Sequence, residues 1–210
     1  MISHLIPFAG YPIFVIKNEF SLKKEELSFL KNLEYKKHVS QNNLKLSVDT
    51  DILKLKKLQR LKKFIKNSLN IYVSNVLEIK NKFSFCQSWS TIQNGKTYHP
   101  RHAHPNHIIS SVYYAKADET NLIFRISKSI IQNGFFFDYA VKNYNFFNSD
   151  MYKIPLKTGD IIFFPGQLNH ESMMNSEKER IVVGSSFFIE GKIGDKDNKS
   201  NFVISNTKDE

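Results

Sequence analysis

The chain has 210 residues, 41% of them hydrophobic and 24% charged, with a single cysteine and a formal net charge of +10. A composition of this kind excludes a collagen-like, a mainly disordered and a polytopic membrane protein, and its length suits one domain. Cys86 alone can form neither an internal disulfide nor a thiolate zinc site, so any metal here must be held by histidine and carboxylate. The opening MISHLIPFAGYPIFVIKNEF lacks the basic flank and cleavage site of a signal peptide, which leads to a cytoplasmic expectation.

The positive charge raises the question of nucleic acid. Only Arg60, Arg101, Arg125 and Arg180 among the 30 basic residues are arginine, the side chain that reads phosphate and guanine bidentately. Residues 1–80 hold 15 Lys/Arg against 7 Asp/Glu, whereas residues 81–210 hold 15 against 13. The excess therefore belongs to the N-terminal third, where it reads as a solvated flank.

In chain order, PFAGYPIFVIKNEF reads as a strand and turn. Ser21 is placed to cap a helix running to about Lys37, with Leu27, Leu30 and Leu33 on its buried face. A longer helix is expected from SVDTD, capped by Asp49 or Thr50. Its apolar stripe is Leu55, Leu58, Leu61, Ile65, Leu69, Tyr72 and Val76, with lysines on the other faces. From residue 82 the texture changes to FSFCQSWSTIQ, HIISSVYYAK, NLIFRIS, GFFFDYAV, MYKIPL, DIIFFPG and RIVVGSSFFIE. Short β-branched and aromatic runs without intervening helices predict an antiparallel sandwich or jelly roll. Residues 191–210 are polar and are expected to form a loosely attached tail.

Four histidines crowd into YHPRHAHPNH: His99, His102, His104 and His107. On an extended segment His102 and His104 point to one face, where two imidazoles can converge on a cation. A third ligand is expected from His170, five residues beyond Pro165 in GDIIFFPGQLNH. Ten residues further on, Arg180 opens an apolar strand. Pointing inward, it would grip a carboxylate with two-pronged geometry; otherwise it would pair at the strand edge with Glu177 or Glu179.

A histidine pair with one intervening residue, then a distal histidine followed ten residues later by arginine, resembles the 2-oxoglutarate and iron(II)-dependent oxygenases. The runs SWSTIQNG, HAHPNHIISSVYYAK and GDIIFFPGQLNHESMMN, with SVDTDIL and its long helix, are similar to a group of oxygenases known mainly from bacterial and phage genomes. The resemblance spans most of residues 7–190. It implies a mainly β (α+β) double-stranded β-helix, or jelly roll, with N-terminal helices packed on one sheet: a single domain over 1–190, its flank 1–80 and its barrel 82–190.

The same resemblance implies iron(II) held by His102, His104 and His170, 2-oxoglutarate bound through Arg180, and O2 as the oxidant. His104 stands where the superfamily usually has Asp or Glu, so it is either a ligand in an all-imidazole site or a group beside the metal. Val182 replaces a serine that often touches the cosubstrate, and Tyr114 or Thr91 would supply that hydroxyl. The implied reaction is a hydroxylation of a small molecule or peptide, with release of succinate and CO2. Two other classes stay open: a cupin-like metal enzyme that does not use 2-oxoglutarate, and a noncatalytic protein retained on DNA through its lysine-rich helix. The cupin pattern expects a glutamate within about five residues of the histidine pair, and none appears before Glu119. No membrane association is expected, and a homodimer is one option for the assembly. The aromatics Phe135, Phe136, Phe137, Tyr139, Tyr144, Phe146, Phe147 and Tyr152 are read as buried strand ahead of a substrate lid. Trp89 is read as a core anchor, and His4, His38 and His107 as structural or exposed.

Overall fold

The computed structural model describes residues 10–39, 41–126, 140–145, 148–176 and 178–205. Its frame is two antiparallel sheets. The strands are β1 (Phe14–Ile16), β2 (Tyr35–His38), β3 (Gln41–Ser47), β4 (Lys82–Gln93), β5 (Ile109–Lys116), β6 (Thr120–Arg125), β7 (Met151–Leu156), β8 (Ile161–Pro165), β9 (His170–Ser172), β10 (Arg180–Ile193) and β11 (Phe202–Ile204). The larger sheet runs β1-β8-β5-β10-β4-β3-β2, with β11 paired to the end of β10; the smaller runs β7-β6-β9. This is the expected jelly roll. Residues 134–139 of the strand expected at GFFFDYAV, and the aromatics Phe135, Phe136, Phe137, Tyr139, Phe146 and Phe147, lie outside the described residues, as does His4. Tyr144 and Tyr152, by contrast, are exposed.

Period-2 alternation gives the larger sheet two different faces. One carries Ile109, Tyr113, Phe163, Ile181, Val183 and Phe187 against the helices, and the other carries Tyr114, Ile162, Phe164 and Val182 towards Leu122, Phe124 and Leu156. The helix α2 (Gln59–Ile71) covers the first face with Leu61, Ile65 and Leu69, all fully buried. Lys63 remains on the outer side, while Lys62 and Lys66 flank the apolar stripe, Lys62 over the Phe85 ring and Lys66 donating to the Phe83 carbonyl.

The N-terminal third departs from its expected helices. The first helix is only α1 (Lys24–Lys31), and Ser21 does not cap it; Glu26 instead accepts the Lys23 N–H at 2.7 Å. Tyr35–His38 leaves the helix to pair with β3, and β3 pairs with β4. Tyr35 Oη, 2.8 Å from both the Leu30 carbonyl and Ser90 Oγ, fastens this hairpin to the core. Sheet pairing thus outweighs a local pattern that suits a helix. Neither Asp49 nor Thr50 caps α2, because two 3-10 turns, Ile52–Lys54 and Lys56–Leu58, intervene. The helix then ends in a π turn, Tyr72–Val76, whose extra residue rotates Val73 inward and leaves Val76 exposed. The C-terminal segment is not wholly loose either: Phe202–Ile204 pairs with Gly191–Ile193. No helix of the described residues is long and apolar enough to cross a membrane.

Candidate metal and cosubstrate site

His102 and His170 meet through the backbone. Each amide donates to the other's carbonyl, at 3.0 and 2.9 Å, so β9 and the segment before β5 form an isolated antiparallel bridge. The His104 amide donates to the Gly166 carbonyl at 2.9 Å. An added Cβ at Gly166 would lie 2.6 Å from the His107 carbonyl oxygen, so glycine is what allows the loop to pack against β8. These contacts bring one nitrogen each of His102, His104 and His170 within 4.8 Å of one another.

Two of the three rings are aimed by their own backbone. His102 Nδ1 lies 2.7 Å from the Pro100 carbonyl and His170 Nδ1 lies 2.9 Å from the Leu168 carbonyl. Donation from Nδ1–H fixes the tautomer and turns the Nε2 lone pair into the cluster. Burial, reinforced by the neighbouring imidazoles, lowers the pKa of His170 to about 3 and that of His104 to about 4; burial also lowers that of His102. The three side chains are therefore neutral near pH 7, and as a donor set they fit a divalent transition metal that accepts imidazole. Among the described residues the cluster contains no carboxylate.

The same cavity is lined by Thr91, Gln93, Tyr114, Ser172, Arg180 and Val182. Cross-strand register explains why. Arg180 pairs with Gln93, Val182 lies between Thr91 and Tyr114, and Gly184 lies between Trp89 and Val112. These are alternate residues of three adjacent strands, all facing inward. At Gly184 an added Cβ would sit 2.5 Å from Trp89 Cε2. The indole lies across that glycine, and its centroid is 5.4 Å from that of His104. Trp89 is half-buried and belongs to neither core cluster, so it lines the cavity beside His104 instead of anchoring the core as expected.

Arg180 is 2% exposed, and its charge is met by neutral acceptors. Its Nε donates to Gln93 Oε1, Nη1 to Thr120 Oγ1 at 2.6 Å, and Nη2 to Ser172 Oγ at 3.0 Å and the Met173 carbonyl at 2.8 Å. Glu179 instead bridges Lys31 and Lys116, at 2.6 and 3.0 Å, and Glu177 lies outside the described residues. Among the described residues no carboxylate pairs with Arg180. Burial lowers its pKa, but a guanidinium stays charged, so the inner end of the cavity is a built cation. Burial keeps the Tyr114 phenol protonated, against the smaller opposing pull of Arg180.

Thr120 and Ser172 carry no signal in the sequence that singles them out as neighbours of the site, whereas His99 belongs to the crowded histidine run and Gln93 to the strand of Thr91. Ser172 Oγ accepts from Arg180, from Gln93 Nε2 at 3.1 Å and from the His99 amide at 2.7 Å, tying the arginine to the histidine segment. The His99 ring is 4.2 Å from that of His102 and packs on His38 at 5.5 Å. Alternation along STIQ would have placed Gln93 beside Thr91, but Thr120 and Ser172 are brought in by β6 and β9.

Residues 87–186 match the family model described as "Putative 2OG-Fe(II) oxygenase". Solved structures give the same fold. HygX from Streptomyces hygroscopicus, crystallised with nickel, 2-oxoglutarate and hygromycin B, is 10% identical with a TM-score of 0.58, covering 84% of this chain and 82% of its own. A prolyl-4-hydroxylase from Pseudomonas putida is 11% identical with a TM-score of 0.55, covering 86% and 94%. The viral collagen prolyl hydroxylase of Paramecium Bursaria Chlorella virus-1, in its 2-oxoglutarate complex, is 15% identical with a TM-score of 0.52, covering 85% and 96%. No curated protein matches the chain. The fold is that of the double-stranded β-helix oxygenases. Within that fold the family match over residues 87–186 takes in the three clustered histidines and Arg180, and it indicates a 2-oxoglutarate and iron(II)-dependent oxygenase domain.

Proposed function

We propose that this oxygenase hydroxylates a small-molecule or peptide substrate, with iron(II) held by His102, His104 and His170 and the far carboxylate of 2-oxoglutarate held by Arg180. The observation that carries this reading is that the three imidazoles and the buried, carboxylate-free Arg180 line one cavity. Bound iron supplies the redox chemistry that couples oxidation of 2-oxoglutarate by O2, to succinate and CO2, with transfer of one oxygen atom to a substrate C–H bond.

The chain's own residues bind and orient. His102 and His170 present fixed Nε2 lone pairs. Arg180 offers charge, and Tyr114 and Thr91 flank Val182 with the hydroxyls that position itself lacks. Thr120 and Ser172 hold the guanidinium plane in place. Phe124 and Phe164 pack on the His170 ring, with centroids at 6.2 and 4.7 Å, and keep water from that side of the site.

Anaerobic addition of iron(II) and then 2-oxoglutarate to the purified protein tests the reading through the visible metal-to-ligand charge-transfer band. The native protein is expected to form the band, and Arg180→Ala is expected to require much more 2-oxoglutarate. A native protein that forms no band, or an Arg180→Ala variant with native affinity, overturns it.

A further inference from the structure

The third imidazole lacks the support its two partners have. Among the described residues the His104 ring makes no hydrogen bond, whereas His102 and His170 are each anchored through Nδ1. Its outward neighbour is His107, with ring centroids 6.0 Å apart. His107 Nε2 lies 3.2 Å from Ser186 Oγ, while its Nδ1 is buried with no hydrogen-bond partner among the described residues. Ser186 is the cross-strand partner of Ser110, so their side chains share a face. Ser110 Oγ is likewise buried and unpartnered. Two orphaned polar atoms on one small patch beside an unanchored ligand call for a common partner, because a buried donor or acceptor left unpaired costs about 1–3 kcal/mol.

We propose that His107 is a positioning residue for His104, acting through one buried water held between His107 Nδ1, Ser110 Oγ and the outer ring nitrogen of His104. The proposal rests on His104 being a metal ligand. The donor count closes. If Ser186 donates to His107 Nε2, His107 Nδ1 carries a proton, and a metal-bound His104 also presents an N–H. A water accepts both and donates to Ser110 Oγ, making the three bonds typical of a buried water. The patch thus does for His104 what the Pro100 and Leu168 carbonyls do for the other two rings. Gly166 contributes by letting the His107 backbone approach β8.

The test uses cobalt(II) as a probe of the site, following affinity by calorimetry and ligand geometry by the visible d–d bands. His107→Phe is expected to weaken cobalt binding about 10- to 100-fold and to change the bands. His107→Gln, which keeps a polar atom on the patch, is expected to recover part of both. Ser110→Ala covers the case in which His107→Phe does not fold. An idle buried hydroxyl replaced by alanine leaves metal affinity unchanged, whereas loss of the water's acceptor weakens it. Native affinity and bands in both His107→Gln and Ser110→Ala, with binding lost in His104→Ala, overturn the proposal and leave the ligand assignment standing. Native affinity and bands in His104→Ala overturn the ligand assignment and the proposal with it.

Discussion

His102 and His170, far apart in sequence, exchange both of their backbone hydrogen bonds, at 3.0 and 2.9 Å, and their ring centroids stand 4.3 Å apart. The approach of the two proposed ligands is therefore set by main-chain pairing, and each ring is then turned by a carbonyl two residues before it. This separates what the ligands do from what the fold does.

Removing either proposed ligand should accordingly spare the fold. His102→Ala and His170→Ala keep the backbone bridge, so a native circular dichroism spectrum is expected alongside a loss of iron(II) affinity beyond about 100-fold, more than the loss of a supporting group costs. Calorimetry under anaerobic conditions reads the affinity. Retention of native affinity by either variant would remove that histidine from the ligand set.

Arg180→Ala should do the opposite and damage both binding and stability. It strands Gln93 Oε1, Thr120 Oγ1 and the Met173 carbonyl, each of which now takes a guanidinium N–H, while Ser172 Oγ keeps its bonds from Gln93 Nε2 and the His99 amide. A loss of about 1–3 kcal/mol for each group that finds no water is expected. Denaturant unfolding measures the loss, and Arg180→Lys should recover part of the charge but not the four-point grip.

Gly184→Ala places a Cβ 2.5 Å from the Trp89 ring, which must shift. Overpacking of this kind costs about 1–3 kcal/mol. Because Trp89 rests on His104, the variant is expected to melt earlier and to bind metal more weakly. Trp89→Phe in the Gly184→Ala background, with a smaller ring to displace, should restore part of the melting temperature.

Acid should destabilise the metal-free protein through its histidines. Burial, with the neighbouring imidazoles, lowers the pKa of His99 to about 2, that of His170 to about 3 and that of His104 to about 4, against an ordinary 6.5. Between those values and 6.5 the unfolded chain binds more protons than the folded one, so stability is present above pH 6.5 and is lost as pH falls below it. Each histidine held neutral adds about 1.4 kcal/mol per pH unit to the slope. Melting temperatures from pH 8 to pH 4 are expected to be flat and then to fall, and His99→Asn should make the fall shallower. An equal slope in that variant would show that His99 is not held neutral by the fold.

The barrel strands were legible in the sequence because period-2 alternation is a local property: FSFCQSWSTIQ, HIISSVYYAK and RIVVGSSFFIE became β4, β5 and β10. The hairpin of β2 and β3 was not, since YKKHVSQNNLKLS has little β propensity and takes its conformation from pairing with β4. The rotation of Val76 off the apolar stripe of α2 was hidden for a similar reason, because one π turn breaks the 3.6-residue period on which the reading depends.

What the sequence by itself determined is the chemistry on offer: histidines crowded between two β runs, a distal histidine, and one of only four arginines at the start of a strand. Composition and spacing carry that much, because residue type decides which groups can ligate or pair. Only the tertiary structure decided that Arg180 is surrounded by Gln93, Thr120 and Ser172 instead of a carboxylate, and that His104 leans on Trp89 and faces His107. Those neighbours come from register between strands distant in the chain, and register follows from burying one face of every strand at once.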